Sequence, residues 1–124
     1  MNRPSPSERR QNPRIDQNLP INVVANGYDF MTQTKNVSCL GAYCHIDKYV
    51  PPFTKVKIKM ALPMQSGRMR VEKEVECEGV IVRSEDAASG GFNVAIYFNR
   101  IKELPRQDLA SYVNQVLTSD IAAN

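Results

Sequence analysis

Two long segments of alternating apolar and polar residues constrain the fold of this chain more than any other feature. Between Lys55 and Leu62 the apolar residues fall on one side of the alternation and three lysines on the other. Between Val71 and Ser84 the alternation recurs, with glutamates on the polar side. Successive side chains of a β-strand point to opposite faces of its sheet, so each segment predicts a strand with one buried face. We expect the lysine and glutamate rows to pair on the solvent side of neighbouring strands.

Shorter apolar segments extend the predicted sheet. Four of them are predicted as strands: Leu19 to Ala25, Tyr28 to Lys35, Ala42 to Ile46 and Phe92 to Asn99. Asn26-Gly27, between the first two, is a strong signal for a tight hairpin turn. Gly79, followed by three apolar residues, predicts a bulge or bend in the glutamate-rich strand. The total is six or seven strands, without alternation of strands and helices.

One helix is predicted near the end of the sequence, opened by Pro105. Its apolar residues recur at helical spacing: Leu109, Tyr112, Val113, Val116 and Leu117. The simplest interpretation is a lid on the sheet, and the alternative is a partner or homodimer surface. We predict one mainly β domain with a flexible arm at 1–18, an antiparallel β-barrel at 19–104 and a C-terminal α-helix at 105–124. Closure of the barrel would remove exposed strand edges.

The arm carries all of the excess positive charge. The net charge is +3; residues 1–14 hold four arginines and one glutamate, whereas the remainder has twelve basic and twelve acidic residues. Taken alone, the arm is typical of a basic tail that aids solubility or binds polyanions weakly. The neutral remainder argues against tracking along nucleic acid, so DNA is not expected as a partner. The prolines and polar residues of the arm predict mobility in the free protein.

Arg10 and Arg14 stand four positions apart in the arm, with Pro13 between them. Pro13 prevents a helix from continuing here and favours an extended conformation before it. Residues four apart in an extended chain project from the same face, with Cα atoms about 13 Å apart. Each guanidinium can grip a phosphate, pair with the O6/N7 edge of guanine or stack on a base.

Asn36, Ser38 and Gly41 form a second motif, N-x-S-x-x-G, about twenty residues later. The two polar side chains can hydrogen-bond to a base edge or to the backbone of the turn. Gly41 allows a positive φ angle, or the approach of a ligand without a Cβ in the way. The alternative is a simple turn between strands that binds nothing.

The two motifs, in this order and in this β context, resemble those of the PilZ domain family, bacterial receptors for cyclic di-GMP. The resemblance spans roughly residues 8 to 117. The matching stretches are Glu8-Arg9-Arg10-Gln11-Asn12-Pro13-Arg14 for R-x-x-x-R, Asn36-Val37-Ser38-Cys39-Leu40-Gly41 for D/N-x-S-x-x-G, and the strands Gly79-Val80-Ile81-Val82-Arg83 and Phe92 to Phe98.

This resemblance implies a six-stranded antiparallel β-barrel followed by a helix, with cyclic di-GMP as the ligand. It implies that Arg10 and Arg14 bind phosphate and guanine groups, while Asn36, Ser38 and Gly41 shape the opposite wall. Arg9 takes an auxiliary role, since an arginine there accompanies binding of a stacked ligand pair in the family. We expect the arm to fold onto the barrel when the ligand binds, and a protein partner in motility, adhesion or polysaccharide regulation to read the change.

Other kinds of site are less consistent with the sequence. Cys39, Cys44, His45 and Cys77 lack the C-x-x-C spacing of a zinc knuckle, so reduced thiols and no metal or other cofactor are expected. The single histidine has no recognisable catalytic partner, so no enzyme is predicted. Without a signal-peptide core or a membrane-spanning apolar run, we expect a cytoplasmic protein.

Two competing functions remain open at this point. A PilZ-like adaptor could keep the fold and bind protein without nucleotide. A small oligonucleotide-binding barrel could use the basic arm, although only nine aromatic residues and no aromatic–basic interleaving disfavour it.

Overall fold

The computed structural model describes residues 12–123, which form six antiparallel strands and one helix. The strands are β1 (Pro20–Ala25), β2 (Tyr28–Val37), β3 (Gly41–Ile46), β4 (Lys55–Ser66), β5 (Met69–Asp86) and β6 (Phe92–Arg100), and the helix is α1 (Glu103–Ala123). The strands close into a barrel in the order β1-β2-β3-β6-β5-β4. The prediction of a mainly β barrel with a C-terminal helix is therefore confirmed.

The alternation in β4 and β5 produces the two faces that the sequence predicts. Val56, Ile58 and Met60 are buried in the barrel, while the intervening lysines are exposed. On the outer face Lys59 lies opposite Glu76, with 3.4 Å between its Nζ and the carboxylate oxygen Oε1. Both side chains are more than half exposed, so the pair contributes little to stability and serves mainly to keep this face solvated.

Two tight turns fix the register of the hairpins. Asn26 and Gly27 both adopt positive φ angles, 52° and 82°, as a type I′ turn between β1 and β2 requires. Between β4 and β5, Gly67 alone has a positive φ, 62°, which matches the first position of a type II′ turn. The sequence signal for the first hairpin is therefore confirmed.

The predicted irregularity in β5 is present as two register shifts against β6. They fall between Glu78 and Val80 and between Ile81 and Arg83. At Gly79 a Cβ would lie only 2.8 Å from the side chain of Ile96, so the strand passes through a crowded point that favours glycine.

The helix covers one end of the barrel. Leu109, Tyr112 and Val113 are buried, and Val116 and Leu117 pack against the same core. The side-chain amide of Gln115 accepts a hydrogen bond from the backbone N–H of Gln65 and donates one to its carbonyl, at 3.2 and 3.3 Å. The stripe is thus a lid, as its simplest interpretation predicts. Within residues 12–123 the structure contains no helix long and apolar enough to cross a membrane.

Contacts or elements of the structure cross both expected domain boundaries. Ile15 is buried and exchanges two backbone hydrogen bonds with Val37, at 2.9 and 3.0 Å, so residues assigned to the arm already dock on β2. The hydroxyl of Thr34 accepts a hydrogen bond from Leu19 N–H at 2.9 Å, which extends this attachment. At the other boundary α1 begins at Glu103, which places Pro105 inside the first turn, where helix N–H groups have no intrahelical partner.

Candidate functional site

The motif turn joins β2 to β3 at the end of the barrel covered by the helix. Ser38 N–H donates to Gly41 O at 2.8 Å, and the buried hydroxyl of Ser38 accepts a hydrogen bond from Leu40 N–H at 3.1 Å. Leu40 O in turn accepts from Phe98 N–H on β6 at 2.8 Å. Ser38 therefore holds the shape of the turn, and β6 fixes the position of the turn on the barrel.

Glycine is needed at position 41 for a reason other than a positive φ angle. Its φ angle is not positive, so the backbone does not need glycine for that purpose. A Cβ at this position would lie 2.2 Å from Ile96 O, on the neighbouring strand β6, and backbone cannot move aside as a flexible side chain can. Gly41 thus allows β3 and β6 to pair closely where the turn meets the barrel.

The arm reaches the turn through Arg14. Its Nη1 lies 3.5 Å from Ser38 Oγ, the outer limit of a hydrogen bond, so the contact establishes proximity more than strength. Arg14 is exposed whereas Ser38 is only 2% exposed, so the guanidinium lies over the turn with most of its donors directed elsewhere. Arg9 and Arg10 lie outside the described residues.

Asn36 supplies an acceptor two residues before Ser38 in the chain. It is half-buried near the end of β2, and its Oδ1 is a buried atom with no hydrogen-bond partner among residues 12–123. A buried polar atom without a partner costs about 1–3 kcal/mol, and such atoms in folded proteins call for a specific explanation. A donor supplied by a ligand would satisfy it.

The sequence of this chain matches a known protein family over both motifs. The family model described as the PilZ domain matches residues 8–115, most of the chain and all of both motifs. The chain belongs to the PilZ domain family. PilZ domains are binding and adaptor domains, which agrees with a site built from hydrogen-bonding and cationic groups on the outside of a barrel.

The inhibitor of motility of Bacillus subtilis, MotI/DgrA, has the same fold as this PilZ domain. Its solved structure superposes with a TM-score of 0.76 at 19% sequence identity, over 89% of this chain. The chain spans about half (52%) of the length of that protein. A search of curated proteins found no match.

Tyr43, Arg83 and Lys35 lie near one another on the outer face of the PilZ barrel, and neither sequence motif includes them. Tyr43 lies opposite Asn36 across the β2–β3 ladder. The guanidinium carbon of Arg83 and the Nζ of Lys35 lie 5.8 and 6.0 Å from the centre of its ring. The strand alternation places Tyr43 on the same face as Asn36, but only the pairing of β3 with β6 and β6 with β5 brings Arg83 across.

The cysteines are free thiols: Cys39 lies in the motif turn, Cys44 on β3 and Cys77 on β5. Burial raises the pKa of Cys44 to about 12. Burial, and secondarily the Glu78 carboxylate, raises the pKa of Cys77 to about 12. Both therefore stay protonated at neutral pH, which does not favour metal binding. Residues 12–123 contain no cluster of three or more histidine, cysteine or acidic side chains placed to hold a metal ion.

Replacing Ser38 with alanine tests the role of its hydroxyl in the turn. The variant leaves the Leu40 N–H without its acceptor and removes the contact with Arg14, so we expect a loss of about 1 kcal/mol in the free energy of unfolding. Urea denaturation measures this loss. Ser89→Ala, at an exposed position in the turn between β5 and β6, is the matched control and should match the wild type. Equal stability of Ser38→Ala and wild type would contradict the structural role of the hydroxyl.

Proposed function

We propose that this PilZ domain is a cyclic di-GMP receptor that acts in the bacterial cytoplasm and is not an enzyme. The observation that carries the proposal is the contact between Arg14 and Ser38, which joins the two motifs. Two residues before Ser38, the buried Oδ1 of Asn36 has no hydrogen-bond partner among residues 12–123. Arg14 precedes Ile15 and Asn36 precedes Val37, and Ile15 and Val37 are hydrogen-bonded to each other, so the two motifs are held near one another. Cyclic di-GMP offers the matching groups, since it carries anionic phosphates together with guanine edges.

The chemistry assigns complementary parts to the two motifs. The guanidinium groups of Arg10 and Arg14 provide planar forks for phosphate oxygens or for the O6/N7 edge of guanine. The Oδ1 of Asn36 can accept from an N–H group of guanine, which no arginine can do because arginine is only a donor. Arg9 is assigned to a second, stacked ligand molecule. Gly41 contributes by holding the turn against β6 rather than by contact.

Tyr43 and Arg83 extend the proposed site along the barrel. Arg83 is exposed, and it already pairs with Glu85 through a 2.8 Å contact between Nε and the carboxylate. Lys35 approaches the same tyrosine ring from another strand. An aromatic ring with cations nearby suits a base that stacks on the ring while its phosphate is neutralised.

The helix is the element proposed to transmit binding. A cavity of about 420 Å³ separates the motif turn and the described end of the arm from α1. It is lined by Pro13, Cys39, Ala110, Ser111, Val113, Asn114 and Leu117. Pro13 is adjacent to Arg14, so movement of the arm toward a ligand would alter the wall of this cavity and the helix surface that a partner meets.

The proposed reader of that surface is a protein partner in motility, adhesion or polysaccharide regulation. The Bacillus subtilis neighbour is named as an inhibitor of motility, so a motility component is the first partner to test. Association that is indifferent both to cyclic di-GMP and to Arg14→Ala would favour the adaptor that binds protein without nucleotide.

Isothermal titration calorimetry with cyclic di-GMP tests the proposal directly. We expect saturable binding, with a stoichiometry of one or two ligands per chain that separates a single ligand from a stacked pair. GMP is the matched control ligand, because it carries the same base and a phosphate without the second nucleotide. Absence of saturable heat with cyclic di-GMP would reject the receptor function. Comparable affinity for generic single-stranded DNA with a steep salt dependence would favour the oligonucleotide-binding alternative.

Amide hydrogen exchange tests whether the arm orders on the ligand. We expect cyclic di-GMP to slow exchange at residues 8–14 by about tenfold or more, because closure of the arm over the ligand would bring their amides into contact with it. The amide of Ile15 is an internal control, since it is already bonded to Val37 O at 2.9 Å. Equal protection of residues 8–14 with and without the ligand, at a ligand concentration that saturates the calorimetric binding, would contradict arm ordering.

A further inference from the structure

Among residues 12–123, one length of strand has a hydrogen-bonded neighbouring strand on only one of its two sides. β5 runs from Met69 to Asp86, but its pairing with β6 begins only at Glu78. Within residues 12–123, the segment from Met69 to Cys77 therefore pairs with β4 alone. We call this segment the open edge; its nine residues extend for about 30 Å.

A cavity lies at the Cys77 end of the open edge. It has a volume of about 420 Å³ and lies between β5 and the segment that leads from β6 into the helix. Cys77, Glu78, Arg100, Ile101 and Lys102 contribute to its lining. The chain after β6 thus turns away from β5 here instead of continuing the ladder.

The hairpin fixes which backbone groups of the open edge are free to pair. Ser66 and Met69 flank a two-residue turn, so they form a hydrogen-bonded pair. In an antiparallel ladder the hydrogen-bonding direction alternates along the strand. The N–H and C=O groups that point away from β4 therefore belong to Arg70, Glu72, Glu74 and Glu76. An unpaired edge of this kind is a template for another strand.

We propose that the open edge pairs with the same edge of a second copy of this chain, antiparallel about a two-fold axis at Val71. In this register Arg70 of each copy lies opposite Glu72 of the other, giving two opposite-charge pairs. Arg68 of each copy falls opposite Glu74 of the other, next to the hairpin turn. The pattern of charges is therefore complementary to itself, as a two-fold interface requires.

The centre of this register suits apolar contact. Val71 is half-buried, and its hydrogen-bonding groups point to β4, so the two valines form a non-hydrogen-bonded pair with Cα atoms about 4.5 Å apart. Met69 is 69% exposed and would lie opposite Lys73 of the second copy, whose aliphatic stem can cover it. Association thus buries a methionine that the single copy leaves in water.

Neighbouring registers are less favourable. Centring on Glu72 places that carboxylate opposite its own copy, and centring on Lys73 opposes the two lysines. The second of these also sets Glu72 opposite Glu74. Like charges directly opposite one another destabilise a strand pair. The register at Val71 avoids all of these pairs, and the charges therefore select one arrangement.

A reciprocal charge exchange tests the interface by sedimentation velocity over a range of concentrations at low salt, without and with cyclic di-GMP. We expect wild type to form a dimer and both Arg70→Glu and Glu72→Arg to dissociate at least tenfold more readily. An equimolar mixture of the two single variants should regain the dimer mass, because each then faces opposite charges. The double variant R70E/E72R should regain it as well. Lys55→Glu, an exposed reversal on β4 outside the open edge, is the control and should behave as wild type.

The outcomes separate this interface from its alternatives. A monomeric wild type across the range, or a dimer that neither single variant weakens, would overturn the proposal; the latter would point to a helix-mediated dimer. If the mixture of Arg70→Glu and Glu72→Arg did not restore the dimer, the register centred on Val71 would be rejected. Loss of cyclic di-GMP binding in calorimetry bears only on the receptor function, because the open edge contains none of the proposed ligand contacts.

Discussion

Alanine at position 14 is expected to weaken cyclic di-GMP binding by about 5- to 150-fold, the equivalent of about 1–3 kcal/mol for one bidentate contact. The side chain is exposed and its one described contact, to Ser38 Oγ, is long at 3.5 Å, so little of its bonding capacity is used within the protein. The loss should therefore appear in calorimetric affinity and not in the free energy of unfolding.

Two further variants distinguish the contribution of the planar guanidinium donors of Arg14 from that of its positive charge. Arg14→Lys keeps the positive charge but loses the planar donor geometry, so its affinity should lie closer to that of alanine than to wild type. Arg106→Ala, an exposed arginine at the start of α1, removes the same charge away from the motifs and should bind normally. Equal affinities for Arg14→Ala and Arg106→Ala would mean that Arg14 acts only through net charge, contrary to the proposed site.

The second large effect is expected in stability, from Gly41→Ala. The new methyl group would lie 2.2 Å from Ile96 O, and relief requires separation of β3 from β6. We expect a loss of about 1–3 kcal/mol or more in the free energy of unfolding, measured by urea denaturation. Cyclic di-GMP affinity should fall as well, since the turn is fixed to β6 through Leu40 O.

Gly79→Ala is the matched comparison. Its Cβ would meet the side chains of Ile96 and Ile58 at 2.8 and 2.9 Å, and Tyr97 O at 2.9 Å. These contacts are longer and two of them involve movable side chains, so a smaller loss is expected than at Gly41. A Gly41→Ala variant as stable as wild type would show that β3 and β6 can separate freely and would remove the structural reason given for this glycine.

Local patterns in the sequence were sufficient for most of the fold. The alternation in β4 and β5 predicts their buried faces because side chains on a strand point alternately to its two sides. Asn26-Gly27 predicts its turn because both residues tolerate a positive φ. The stripe from Leu109 to Leu117 predicts the lid. Each of these signals lies within a few residues of the structure that it specifies.

The reason for Gly41 could not be obtained in this way. Its neighbour, Ile96, is fifty-five positions away, and no local pattern shows that its carbonyl lies where a Cβ would be. The docking of Ile15 on Val37 was missed for the same reason, because a short polar, proline-containing segment has no periodicity to mark one buried residue. Tyr43 and Arg83 likewise meet only through two strand pairings.

By itself, the sequence determined the chemical content of this protein: a barrel of alternating strands, a helical lid and two motifs whose residue types suit a phosphate- and guanine-bearing ligand. Only the tertiary structure decided which of these groups meet, and that β5 continues beyond the last residue of β6. Residue chemistry and local periodicity are properties of the chain alone. Proximity between distant segments depends on strand register and barrel closure, which are set by the packing of the whole domain.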